Sequence, residues 1–334
     1  MYRLSLLLVG ACALAAASRI NNMGKPTYPL EEAEMHFEAF IENFNRSYSS
    51  EAEKKSRFEI FKKNLEDINR KNMNPEENAV FDITMFADLS VQEFIQQYTG
   101  LDSSLHVPGP KVIVSGPVTM DLPDNFDWRD KNAVTNVKNQ GQCGSCWAFS
   151  TTGTIEGAYA IKHKKLVALS EQQLLICDTH DKGCDGGLMT QALKYLTEVG
   201  GIQSEDSYPY TADDDEDCEF EPELVVVNIT GQKPYDLKDE KALREILVSE
   251  GPVAIAVDAD SFQLYRKGII EACTFKDVNH GVLLVGYGIE NNIPYWIIKN
   301  SWGEKWGEDG FVRVKQGNNP CGILNDYAVT PVVA

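Results

Sequence analysis

The chain has 334 residues, room for one large domain or two ordinary ones. Its 31 Lys and Arg against 50 Asp and Glu leave a net charge of -19, which excludes the basic stripe of a nucleic-acid surface and disfavours anionic lipid headgroups. With 43% hydrophobic and 24% charged residues, the composition is that of a folded protein, neither disordered nor collagenous.

Met1-Tyr2-Arg3 leads into an apolar run that ends in Ala15-Ala16-Ala17-Ser18, which predicts a secretory signal peptide over 1–17. The run is too short to span a bilayer, and no later one approaches the roughly 20 apolar residues a membrane helix needs, so no membrane partner is expected. Phe37, Phe40, Ile41 and Phe44 recur at three-and-four spacing, and Phe58, Phe61, Leu65 and Ile68 do so again; both predict amphipathic helices. Ser50 followed by Glu53 predicts a capping box at the start of the second, and Pro75 follows its end. Gly100 to Pro123 carries Pro108, Gly109, Pro110, Gly116 and Pro117 without periodicity and reads as an exposed linker between two units. Helical segments are then expected around Ser145 to Ile161, Ser170 to Cys177 and Met189 to Val199. Strands follow at 253–257, 282–285, 295–298 and 311–314. Helices followed by strands predict an α+β arrangement. The acidic run Asp213 to Glu223 reads as a solvated loop, and there is no internal repeat.

Of eight cysteines, Cys12 leaves with the signal, and seven remain in an oxidising compartment. An odd number leaves one unpaired, as an intermolecular link or a reactive thiol, and six pairing cysteines allow 15 connectivities. Asn45 and Asn228 head Asn-x-Ser/Thr triplets and are candidate glycosylation sites.

The segment Gln140-Gly141-Gln142-Cys143-Gly144-Ser145-Cys146-Trp147 is a Gly-rich turn that runs into a helix. Cys146 falls at the helix's first turn, where free N–H groups and the positive dipole end lower a thiol pKa and hold a thiolate ready. Acyl transfer then needs a proton carrier, a group that orients it, and donors for the oxyanion. His163 lies between Lys162 and Lys164 and reads as surface, as does His180. His280 heads a strand beside Gly281, which lets another chain come close. Cys143 and Cys146 also form a C-x-x-C, the mark of a thiol-disulfide oxidoreductase, but the βαβ pattern that should precede it is missing.

Together these residues resemble the papain-type cysteine peptidases, whose nucleophile signature C-G-[SA]-C-[WY] has its His and Asn roughly 130 to 150 residues downstream. His280 and Asn300 sit near those distances from Cys146. The resemblance implies Cys146, His280, Asn300 and Gln140 as the catalytic set, with Gln140 and the Cys146 N–H holding the oxyanion and Trp302 covering the His280–Asn300 bond. By parity the free thiol is Cys146. Similarity pairs Cys143 with Cys184, Cys177 with Cys218 and Cys273 with Cys321.

Gly186 and Gly187 would pair with an extended substrate backbone, beside Asn279. Leu188, Met189, Ala256, Val278 and, at its far end, Asp326 would line the second subsite. That lining implies bulky apolar residues two places before the scissile bond, with Arg also accepted through Asp326. No long insertion separates Cys177 from Cys184, which implies an endopeptidase.

Upstream, Glu53, Arg57, Phe61, Asn64, Ile68 and Asn72 are similar to the interrupted helical motif of cathepsin L-type propeptides. A Gly-x-Asn-x-Phe-x-Asp motif usually follows; here its positions read Asp82, Thr84, Phe86 and Asp88, which leaves the acid trigger of propeptide release unassigned. The implied organisation is signal peptide 1–17, inhibitory propeptide 18–121 and a two-lobed peptidase 122–334, helical over roughly 132–230 and β-rich over roughly 231–334. Asn45 to Ser50, Tyr98 to Leu101 and Gly200 to Gln203 look most like the cathepsins of insect baculoviruses, with insect cathepsin L-like peptidases the near alternative. The implied partners are protein or peptide substrates, the chain's own propeptide and cystatin-type inhibitors, with neither metal nor cofactor, and a monomer is expected. The implied location is the secretory pathway: lysosomal, extracellular, or retained as a proenzyme in virus-infected cells until lysis.

Overall fold

The computed structural model describes residues 18–113, 121–273 and 277–334. The expected signal peptide at 1–17, with Cys12, and the Gly116-Pro117 part of the expected linker lie outside the described residues.

The N-terminal unit is built on helices α1 (Ala33–Asn43) and α2 (Glu51–Asn72), both where their periodicity predicts them. Their apolar stripes meet in an aromatic cluster, with Phe61 5.2 Å from Phe37 and 5.3 Å from Phe40 between ring centroids. Each such buried ring contributes about 1.5–3 kcal/mol. The capping box expected at α2 forms by half: Ser50 accepts from the Glu53 N–H at 3.2 Å, but the Glu53 carboxylate turns to the Ser49 N–H and hydroxyl instead. A complete box, Ser90 with Glu93, opens α3 (Val91–Tyr98). The sequence reading misses this helix, which buries only Phe94 and Tyr98 and is too short to show a period.

The motif side chains of α2 staple this unit's loops. Asn64 donates to the Ala87 and Leu89 carbonyls at 2.8 Å, Asn72 to those of Pro26 and Phe81 at 2.8 and 2.7 Å, and Arg57 reaches Glu93 at 2.9 Å. The loop so held docks on the second unit: Thr84 donates to the Gln263 carbonyl at 2.6 Å, and Phe86 lies edge-on to Trp302 at 5.3 Å. Asp82 accepts from the Tyr28 hydroxyl, and Asp88 accepts from Arg46 at 3.1 Å and Tyr48 at 3.0 Å.

In the second unit, α4 (Cys146–His163), α5 (Glu171–Cys177) and α6 (Met189–Val199) enclose one core with Trp147, Ile155, Leu174 and Leu193. Beside it lies a sheet in the spatial order Ile269–Ile270, Phe311–Lys315, Ile293–Lys299, His280–Glu290, Val253–Val257, Val329–Val333, Ile229–Asp236 and Val112–Ile113. Phe126–Asp127 also pairs with His280–Glu290. Neighbours are antiparallel except at the two ends, where Ile269–Ile270 and Val112–Ile113 run parallel to their partners. Buried α4 spans the junction: Ser150 donates to the Val282 carbonyl at 2.7 Å, and a Cβ on Gly153 would press on Leu283 Cδ2 at 2.8 Å. Lys138 bridges Glu156 at 3.1 Å and Glu171 at 2.7 Å beneath this seam.

The content is α+β, with two corrections to the order expected. Helix α7 (Glu240–Glu250), capped by Asp239, interrupts the strands. Ala242, Leu243, Ile246 and Leu247 form its buried stripe, a period the sequence displays and the reading overlooks. Among its described residues as far as Ile113, the expected linker is exposed at Ser103, Ser104, Val107 to Pro110, Val112 and Ile113, but it does not run free of the second unit. Gly100 to Asp102 lies against the second unit, and Val112–Ile113 adds to the sheet edge. Both contacts are made largely by backbone, with Leu101 the one apolar side chain, which leaves no hydrophobic period to read.

Candidate active site

The turn from Gln140 to Ser145 delivers Cys146 as the first residue of α4. Cys143 is bonded to Cys184, and the Gly144 N–H donates to the Cys184 carbonyl at 2.9 Å; a Cβ on Gly144 would meet that oxygen at 2.4 Å. The strand His280–Glu290 arrives from the sheet, and its Gly281 N–H donates to Cys146 Sγ at 3.2 Å. His280 is buried, and its Nε2 lies 2.7 Å from Asn300 Oδ1. The Ser301 N–H donates to the same oxygen at 2.9 Å, which sets the amide's orientation. An oxygen so placed only accepts, so His280 Nε2 carries a proton and Nδ1 is the nitrogen left to exchange one with a thiol. The Trp302 ring stacks on the imidazole, with centroids 4.8 Å apart.

Gln140 is buried and fixed from both ends of its amide. Ser301 Oγ donates to Oε1 at 2.6 Å, while Nε2 donates to the Cys143 carbonyl at 2.9 Å and to the Tyr98 carbonyl at 3.3 Å. Trp302 Nε1 donates to the same Tyr98 oxygen at 2.9 Å. From there the N-terminal unit's chain runs along the cleft. The Gly100 and Leu101 N–H groups donate to the Asn279 carbonyl at 3.3 and 3.1 Å, Gly187 N–H donates to Gly100 O at 2.9 Å, and Asp102 N–H donates to Gly187 O at 3.0 Å. Gly186 has no room for a side chain, since a Cβ there would meet Gly100 O at 2.9 Å. Leu101 and Val278 pack against the cluster that holds Met189 and Ala256, and Leu188 is buried.

Asp326 lies at an exposed rim, 68% accessible, where its carboxylate pairs with Lys111 at 2.9 Å. The buried end of the subsite expected from sequence is therefore an open one. The other two bridges join Cys177 to Cys218 and Cys273 to Cys321, and Cys146 is free. Asn45 and Asn228 are exposed, and Asn228 Nδ2 donates to the Gly200 carbonyl at 3.0 Å. His163 is exposed, and half-buried His180 pairs with Glu198 at 2.8 Å. Among the described residues no group of three or more His, Cys, Asp and Glu side chains is placed to hold a metal, and no helix is long and apolar enough to cross a membrane.

Electrostatics depart from the sequence expectation. Burial pushes the Cys146 thiol up to about 12, against backbone N–H donors that favour the thiolate. Burial also pushes His280 down to about 4, opposed by its bond to Asn300. With the N-terminal unit in the cleft, desolvation outweighs the helix end and favours the neutral form of each group. The reading missed the residues that cover the site, Tyr98, Gly100 and Leu101, because they act through backbone and one Leu. Ser301, the anchor of Gln140, carries no motif of its own.

Comparison with known proteins follows the same division. The family model described as papain family cysteine protease matches residues 122–332, and that of the cathepsin propeptide inhibitor domain matches 37–94. The chain is 44% identical over 332 residues to the viral cathepsin of Mamestra configurata nucleopolyhedrovirus, covering 98% of each. To that of Autographa californica nuclear polyhedrosis virus it is 46% identical over 307 residues, covering 92% of this chain and 94% of the relative. Among solved structures, digestive procathepsin L2 proteinase from Tenebrio molitor larval midgut superposes with a TM-score of 0.82 at 35% identity, over 90% of this chain and 99% of that one.

Proposed function

Since the chain belongs to the papain family of cysteine proteases, as a zymogen similar to viral cathepsins, we propose that it is an endopeptidase that acts once residues 18–121 are removed, with the cut before or at Leu122. The observation that carries the reading is the course of residues 98–102. They run along the cleft beside Gln140, Asn279 and Gly187, with the Tyr98 carbonyl on Gln140 and Leu101, bridged in parallel to Gly187, against the apolar cluster.

When that segment leaves, water returns and the neutral pair gives way to a Cys146 thiolate and a His280 imidazolium held by Asn300. The thiolate attacks the peptide carbonyl, and the oxyanion is stabilised by Gln140 Nε2 and the Cys146 N–H. His280 protonates the leaving amine, then takes a proton from the water that frees the acyl group. Gly186, Gly187 and the Asn279 carbonyl bind the substrate backbone. Leu188, Met189, Ala256 and Val278 select bulky apolar side chains, and Asp326 at the rim favours Arg. Export through the secretory pathway, glycans on Asn45 and Asn228, and breakdown of host tissue protein after release from infected cells complete the proposal; similarity to viral cathepsins supports the last.

The test is cleavage of Phe-Arg and Arg-Arg fluorogenic dipeptides by acid-activated protein from pH 4 to 8, with and without an epoxysuccinyl thiol inhibitor. Inhibitor-sensitive cleavage at acid pH is expected. Silence on both substrates, with the propeptide gone and Cys146 reduced, would falsify the reading.

A further inference from the structure

The two proposed oxyanion donors belong to different pieces of chain: the Gln140 amide before the turn and the Cys146 N–H after it. Their separation is set by a turn that contains Gly141, at φ +64°, and Gly144, residues that by themselves leave a backbone loose. The disulfide at Cys143 holds the turn's middle, and Ser301 holds the Gln140 side chain. One atom joins the two ends. The Tyr210 hydroxyl donates to the Gln140 backbone carbonyl at 2.8 Å and lies 2.6 Å from Ser145 Oγ, on the residue just before Cys146.

A phenol has a single proton. Since it goes to the Gln140 carbonyl, the Ser145 hydroxyl must donate to the phenol oxygen, which makes a one-way chain from Ser145 through Tyr210 to Gln140. In this half-buried setting each such bond still polarises the next. Burial holds the Tyr210 hydroxyl well above its ordinary pKa, so the chain persists at every working pH. The ring itself is fixed from elsewhere: it stands edge-on to Phe149 of α4 at 4.8 Å, and the Tyr210 and Thr211 N–H groups donate to Glu205 at 3.0 Å and to Gln172 at 2.9 Å.

We infer that Tyr210 is a positioning residue for the oxyanion hole, setting the distance between the Gln140 amide and the Cys146 N–H by tying both ends of the intervening turn. The inference rests on the assignment of Gln140 as an oxyanion donor. Tyr210 does not touch substrate, and it acts on acylation because a donor displaced by a fraction of an ångström loses much of its hold on the developing charge.

The experiment uses the acid-activated enzyme and Tyr210→Phe, which keeps the ring on Phe149 and removes the hydroxyl. On a Phe-Arg amide substrate kcat is expected to fall about tenfold with KM within twofold, while the rate of Cys146 alkylation by iodoacetamide, a step with no carbonyl oxyanion, is unchanged. On a Gln140→Ala background the same change should cost nothing further, because the donor it positions is already gone. Ser145→Ala, which breaks the other end of the chain, should reproduce the kcat loss and stands in should Tyr210→Phe fail to mature. A kcat unchanged in both variants overturns the inference, as does a loss shared equally by alkylation, or one that adds in full to that of Gln140→Ala. If Gln140→Ala itself costs nothing, the oxyanion assignment is what fails.

Discussion

At the scale of single residues, Cys146 and His280 show how far environment overrides type. A thiol at a helix start is expected to ionise easily, yet here burial raises it to about 12. In the intact precursor at pH 7 burial therefore favours the thiol over the thiolate. Iodoacetamide is therefore expected to label the mature enzyme at Cys146 at least about 100 times faster than the precursor, read as a mass shift on the peptide that carries it. Equal rates would mean the covering segment does not desolvate the thiol. Asp326 is the opposite case: it is exposed and faces Lys111, and its carboxyl is held below the usual range by that lysine. Exposed ion pairs contribute about 0.2–1 kcal/mol, so Asp326→Ala should lower kcat/KM for Arg-Arg by no more than about fivefold and leave Phe-Arg untouched. In the parent the Arg-Arg preference should fade as pH drops through the ordinary carboxylate value near 4. A variant with an unaltered substrate ratio removes Asp326 from specificity.

At the scale of elements, the segment from α3 to Asp102 approaches the second unit closely through its backbone, which is how it would inhibit. Gly100 has φ +154°, and a Cβ there would come within 2.0 Å of the Gly144 carbonyl oxygen. Neither atom is the end of a flexible side chain, so the strand must lift. Gly100→Ala is expected to weaken inhibition of the enzyme by its propeptide at least tenfold. The matured enzyme has the same sequence in both cases, so any change in its own kinetics would contradict the argument. Ser90→Ala, which removes the cap of α3, should cost about 0.5–2 kcal/mol of helix stability and a correspondingly smaller loss of inhibition. Precursor titration of active enzyme ranks the two, and a larger effect for Ser90→Ala would shift the weight from close approach to helix order.

At the scale of the whole molecule, acid release depends on which groups change proton affinity when the N-terminal unit comes away. The Asp102–Lys182 pair spans the two units, and its carboxyl is held below 3.8 by that lysine, so its contribution is intact above 3.8 and lost only as pH falls further. Asp88 is raised by burial, so protonation favours the folded form and works against release. His36 is buried between Tyr28 and Glu32, and desolvation lowers it from 6.5. A base lowered by folding contributes fully above 6.5, and its contribution is lost as pH falls toward the lowered value. In a Cys146→Ser precursor, which cannot process itself, loss of near-UV dichroism on acidification should therefore begin below 6.5. His36→Phe, which keeps the ring against Tyr28, should move the midpoint to lower pH; an unmoved midpoint assigns the acid response to other groups.

The sequence by itself determined helices α1 and α2 of the first unit, because their apolar residues recur at a fixed spacing, and the candidate site, because a C-G-S-C-W turn with a distant His and Asn is legible from residue type. Sequence reasoning also supplied the α+β class, although α7 went unread despite its period. The tertiary structure alone decided what covers the cleft: residues 98–102 bind mostly through N–H and C=O groups that every residue has, and their few side-chain contacts, at Leu101 and Asp102, form no periodic pattern. It also decided the burial that favours neutral Cys146 and His280, which follows from how much water the folded chain excludes, and the exposure of Asp326, which lies in the turn before the last strand begins. Type and spacing are local properties of a chain; burial is a property of everything packed around it.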